Sequence, residues 1–95
     1  MAVTDVTFET LSAEEAALAN APVRVSLFFD EPLAGGPAYD VAVGSVSSVS
    51  LVPTMDFLGV IALLEDVPNS GDAVKFGLMG GELEDTGFTY DPAIV

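Results

Sequence analysis

Residues 23–29 read Val-Arg-Val-Ser-Leu-Phe-Phe, with an apolar side chain at every second position. Successive side chains of a β-strand point to opposite faces. The spacing therefore puts Val23, Val25, Leu27 and Phe29 on one face and Arg24, Ser26 and Phe28 on the other. Period two returns at 73–79, where Val74, Phe76 and Leu78 share a face and Lys75 takes the other. No helix of ordinary length has this period. A chain with such segments, parted by short Gly, Pro, Asn and Ser clusters, folds as antiparallel β-structure.

The remaining segments fit that frame. Residues 3–11 alternate Val6 and Phe8 with Asp5, Thr7 and Glu9, which predicts an edge strand or an extended arm. Ser12-Ala13-Glu14-Glu15 fits a capping box that opens one short helix over about 13–20. Its two Glu lie in the first turn, where the helix dipole favours them. Asn20 and Pro22 end it. Residues 30–40 carry two Pro and two Gly and predict a long exposed loop. Residues 41–52 are Ser-rich and β-branched, and Gly44 predicts a bulge or a bend between two short strands. Phe57–Leu64 is apolar throughout except for its Gly, and predicts a central strand. Acid-rich turn residues fill 65–72, Gly80-Gly81 turns the chain, and Leu83, Phe88 and Tyr90 are its last apolar contacts. The expectation is a mainly β fold, a small antiparallel β-barrel or sandwich with one short N-terminal helix. Residues 1–22 would form an arm and helix, and residues 23–95 the β domain.

Charge narrows the function classes. The 95 residues hold fifteen acids, two bases and neither His nor Cys, for a net charge of −13. Phosphate-binding surfaces need clustered Lys and Arg. Arg24 and Lys75 cannot supply a cluster, so neither nucleic acid nor an anionic membrane is an expected partner. Seven acids and one base lie in residues 1–50, eight and one in 51–95, which spreads the charge over the surface. A membrane-spanning helix needs about 20 apolar residues, and the longest such run here, 57–64, has eight. The N-terminal residues lack the basic and apolar regions of a secretory signal.

Catalytic candidates are few. Asp85-Thr86-Gly87 matches the signature tripeptide of retroviral-type aspartic proteases. There the motif lies early and follows an apolar strand, whereas here Glu82 and Glu84 precede it and eight residues follow, so a surface turn is the expectation. Glu65, Asp66, Asn69 and Asp72 are oxygen ligands of the kind calcium takes, without the spacing of an EF-hand loop. A solvated acidic turn is expected there. Arg24 and Lys75, each on the polar face of a strand, are expected to meet acidic neighbours across the sheet. No enzyme, cofactor or metal site is expected.

Residues 58–95 carry an order of elements with a parallel elsewhere. The strand Leu58-Gly59-Val60-Ile61-Ala62-Leu63-Leu64 leads through an acidic turn to Ser70-Gly71-Asp72-Ala73-Val74-Lys75-Phe76-Gly77-Leu78. Gly80-Gly81-Glu82-Leu83 and Thr89-Tyr90-Asp91-Pro92-Ala93 follow. This resembles the capsid decoration, or cement, proteins of tailed bacteriophages. The resemblance implies a β-rich, often trimeric domain that sits on the outer shell and stabilises it without catalysis. The expected function is thus that of a structural virion protein, made in the host cytoplasm and placed on the capsid surface. Its partners would be the major capsid protein and, as a homo-oligomer (a trimer), further copies of itself. Val3, Val6 and Phe8 are the candidate capsid contacts, if residues 2–11 are an attachment arm. The alternative reading is an acidic inhibitor or DNA mimic that blocks a nucleic-acid-binding enzyme.

Overall fold

The computed structural model describes residues 2–91. Seven strands and one helix follow in the order β1 (Val3–Thr10), α1 (Ala13–Ala19), β2 (Val23–Phe29), β3 (Tyr39–Val43), β4 (Val46–Pro53), β5 (Gly59–Leu64), β6 (Ala73–Leu78) and β7 (Glu84–Thr89). They form one sheet in the order β1-β2-β5-β4-β3-β6-β7, with every neighbouring pair antiparallel. The fold is mainly β, an antiparallel barrel closed nearly all the way round. Six antiparallel steps leave β1 and β7 pointing the same way. They meet at the seam without a ladder, and the Phe8 and Tyr90 rings bridge it edge to face, with centroids 4.9 Å apart.

Alternation explains the core. The inward rows are Val6-Leu27-Val60 and Phe8-Val25-Ala62, continuous across β1, β2 and β5. Val41 and Val43 of β3, and Val74 and Phe76 of β6, close the far side. All of these are buried, and among the described residues no polar side chain is buried with them. Burial of apolar area, at roughly 25 cal/mol per Å², is the force that holds the staves together.

β1 is a stave of the domain's own sheet. It pairs with β2 from Val3 to Thr10, with a bulge between Val3 and Asp5. Residues 3–10 thus share a sheet with the β domain expected from residue 23 onward. The helix starts as its capping residues dictate. The Ser12 hydroxyl accepts from the Glu15 N–H at 3.2 Å and donates to the Glu15 carboxylate at 3.1 Å. Asn20, at φ 55°, ends it in the left-handed region that Asn tolerates.

Gly44 makes the expected bend between two short strands, and with Ser45 it forms the two-residue turn of the β3–β4 hairpin. Gly44 sits at φ 60°, and a Cβ there would lie 2.3 Å from Asp72 Oδ2. Phe57 and Leu58 belong to the β4–β5 turn, so β5 begins only at Gly59. Leu78 is exposed at the end of β6 instead of sharing the core with Val74 and Phe76. Asp85-Thr86-Gly87 is a bulge within β7, not a turn. The register against β6 jumps between Ala73 and Lys75, the Gly87 N–H donates to Asp85 Oδ1 at 2.8 Å, and the Thr86 hydroxyl donates to the Val74 carbonyl at 2.8 Å. Pro92 and Ala93 lie outside the described residues.

The Arg24 guanidinium reaches Glu9 across the β1–β2 ladder, as an ion pair and hydrogen bond on the outer face. Hydrogen bonding to Arg24 holds the Glu9 carboxyl below its ordinary pKa. A carboxyl whose pKa is lower folded than unfolded adds stability above its unfolded pKa, and loses it as pH falls through the folded one. Glu9→Gln is therefore expected to lower the melting temperature at pH 7. The gap should close as pH is taken below about 4, the ordinary carboxylate range. Thermal melts of both proteins between pH 7 and pH 2 check this, and a gap that persists at pH 2 would assign the loss to packing. High salt should shrink the gap at pH 7, because both groups are solvent-exposed.

Candidate functional site

The three residues expected to touch a capsid are turned inward or half-covered. Val6 and Phe8 sit in the core, and Val3 packs partly against it. Val6 and Phe8 thus fill the barrel, while Val3 lies half-covered at its margin.

The outside of β2, β5 and β4 carries a different set. The register aligns Ser26, Ile61 and Val52 in one outward row, with Phe28 beside Gly59 in the next. Phe28 is 39% exposed, Ile61 42% and Val52 61%. Leu58 and Met55 extend the group into the β4–β5 turn, where Met55 is fully exposed. Gly59 makes room for this arrangement, since a Cβ there would lie 2.9 Å from the Leu27 carbonyl and 3.2 Å from the Phe28 ring. Apolar side chains grouped on a monomer's outer surface mark an interaction site more often than scattered ones do.

Acids border this face. Asp5 lies opposite Phe28 in the ladder, and Asp56 follows Met55. The Thr54 hydroxyl and then the Leu58 N–H donate to Asp56, at 2.7 and 3.0 Å, and together hold its carboxyl below the ordinary range. The β4–β5 turn is fixed by that pair of bonds.

On the other side of β4 the barrel wall opens. The β3–β4 ladder stops after Val43↔Val46 and Ala42↔Ser47. Beyond it a bulge between Ser48 and Ser50 bends β4 toward β5. The Val41 N–H donates to Asp40 Oδ1 at 2.9 Å and lies 3.4 Å from the Ser48 hydroxyl, which itself donates to Asp40. The result is a cleft of about 290 Å³ roofed by the 34–38 loop. Tyr39, Leu51, Phe57 and Met79 line it, and Asp40, Ser48 and Ser50 are among its polar groups. Phe57 holds φ 59°, a left-handed conformation that costs an L-residue with a side chain about 1–2 kcal/mol. The Leu33 N–H bonds to the Phe57 carbonyl at 2.8 Å and ties the long loop to this strained turn.

The remaining candidates are structural. Asp72 accepts from the Asn69 N–H at 3.0 Å and Asp66 from the Val67 N–H at 2.8 Å, so these carboxylates brace their own turn. Among the described residues, no three acids are grouped so as to hold a metal ion. Lys75 stands opposite Asp85 in the β6–β7 register. Neither the outer apolar face nor the cleft was foreseen. The signal for the face was present in Phe28 and Ile61, apolar residues at positions of outward phase. Comparison of the chain with protein-family models, with curated proteins and with solved structures finds no match, so the likeness of residues 58–95 to phage decoration proteins rests on those residues alone.

Proposed function

We propose that this protein is a structural virion protein of the decoration type, one that docks on a capsid shell through the outer face of β2, β5 and β4. The observation that carries the reading is the grouping of exposed Phe28, Ile61 and Val52 on that face, with exposed Met55 and Leu58 in the adjoining β4–β5 turn. An apolar centre within a charged rim is the usual anatomy of a protein–protein contact. The acidic rim matches a shell protein with Lys and Arg around an apolar patch. The resemblance read from residues 58–95 supports the same function, and the net charge of −13 disfavours nucleic acid and anionic lipid as partners. Assembly as a trimer belongs to the proposal, because three linked faces gain avidity over one. Its site of action would be the capsid surface, after synthesis in the host cytoplasm.

The test is co-sedimentation with capsid shells stripped of their accessory proteins. Wild type is expected to pellet with a shell it fits, and Ile61→Asp and Val52→Asp to lose at least about tenfold in affinity. Both positions are exposed strand sites, so folding stability should fall by no more than about 1 kcal/mol, the span of β-propensity. Binding that survives both substitutions would rule the face out. Size-exclusion chromatography with light scattering reads the oligomer. Copies that each carry −13 should associate more tightly as salt rises, whereas binding to a basic shell should weaken with salt. Opposite salt responses would separate the two contacts.

A further inference from the structure

We infer that the cleft between β3 and β4 is a receptor for one basic side chain, an arginine or lysine presented by a partner protein. This rests on the reading above only in naming a protein as the source. The cleft's chemistry is independent of that reading. Tyr39, Phe57, Met79 and Leu51 line the walls, and the Tyr39 ring has one of its faces stacked on Phe76. Aromatic rings attract a cation that lies over their faces, and an apolar lining suits the methylene stem of Lys or Arg. Asp40 supplies the opposite charge at the cleft wall, beside Ser48. No base lines the cleft to compete, and the protein's overall field draws cations toward it.

Two further features point to use rather than to a packing fault. The wall opens because the ladder stops at Ala42↔Ser47, and the freed Val41 N–H is taken by Asp40 without help from a β4 carbonyl. Asp40 is thereby fixed in place before any ligand arrives. Phe57 keeps its left-handed backbone at the cleft although Asn or Gly would hold that turn without strain, and strain of this kind gathers at ligand sites. β4 separates the cleft from the outer apolar face, since Val52 belongs to that face and its strand neighbours Leu51 and Pro53 line the cleft.

Titration of the isotope-labelled protein with Nα-acetyl-arginine methylamide, followed by amide chemical shifts, tests the inference without a shell. Saturable shifts are expected at 34–40, 48–51 and 57. The neutral probe Nα-acetyl-norleucine methylamide should bind about tenfold more weakly or not at all. Asp40→Asn keeps an oxygen for the Val41 N–H and removes only the charge, so it should fold normally and lose the preference for arginine. Gly35→Leu should plug the cleft. A Cβ at Gly35 meets only the Phe57 ring, at 3.7 Å, which is ordinary contact. Equal binding of the two probes, an unchanged preference in Asp40→Asn, or no saturable shift in the wild type would each overturn the assignment. Failure to bind any shell would count against the proposed function and leave this result standing.

Discussion

A chain that lacks residues 2–11 is expected not to fold. β1 puts Val6 and Phe8 into the core, and each buried side chain of that size contributes about 1.5–3 kcal/mol. Its loss also removes the Phe8 ring that bridges the seam to Tyr90, and bares the β2 edge along seven residues. A domain of this length has roughly 5–14 kcal/mol of stability in all. The two side chains and the ladder together account for most of that. Circular dichroism and amide shift dispersion at 25 °C read the outcome: the truncated protein should show neither a native β spectrum nor a cooperative melt. The alternative that the sequence allows, an arm detachable from the domain, requires an almost unchanged melting temperature. A truncated protein that melts like the wild type but no longer pellets with a shell would restore the arm and displace the outer face as the attachment surface.

The ambiguity about β1 shows where sequence reading stops. Val6 and Phe8 alternate as a strand's side chains must, and the pattern fixes which face is apolar. It does not say whether that face meets the chain's own core or another protein. Pairing with β2 decides the matter, and pairing is a non-local fact. β2 itself is legible to the residue, because an apolar side chain stands at every second position from Val23 to Phe29 and Pro22 precedes it. The helix was legible for a local reason too, since Ser12 and Glu15 carry their capping geometry in four residues.

Phe57–Leu64 was harder. Its unbroken apolar run suggests burial on both faces, as in a strand covered above and below. In the barrel only one face is inside, so Val60, Ala62 and Leu64 are buried while Ile61 looks outward and Leu63 is half-covered. Ile61 of β5 and Phe28 of β2, apolar residues beyond what the one inward face of each strand needs, belong to the outer face. The cleft had no such signal. It depends on where the β3–β4 ladder ends and on a bulge in β4, which Ser-rich composition does not encode. One local device did recur unread. Asp-Val occurs at 5–6, 40–41 and 66–67, and each time the Asp Oδ1 accepts the next residue's N–H, at 2.9, 2.9 and 2.8 Å. A carboxylate that holds the following amide makes acids part of the backbone's hydrogen bonding, and puts some of the fifteen to structural use.

Leu27→Ala is expected to destabilise the protein by about 2–5 kcal/mol, while Ile61→Ala, one strand away, costs under about 1 kcal/mol. Leu27 is fully buried at the middle of β2, flanked by Val6 of β1 and Val60 of β5 in the same inward row. Strands on both sides hold it in the ladder, so the wall cannot collapse to fill the space a missing side chain leaves, and the cavity adds to the lost transfer energy. In a domain this small such a loss lowers the melting temperature by some 10–20 °C or more, at about 4–8 °C per kcal/mol. Ile61 points the other way, and its side chain is already partly in water. Denaturant melts at micromolar and at submillimolar protein concentration check both values. The contrast also tests what covers the outer face. If Ile61→Ala costs as much as Leu27→Ala, and the cost grows with protein concentration, then Ile61 is buried between copies of this chain, and the face is the oligomer's own interface instead of the surface offered to a shell.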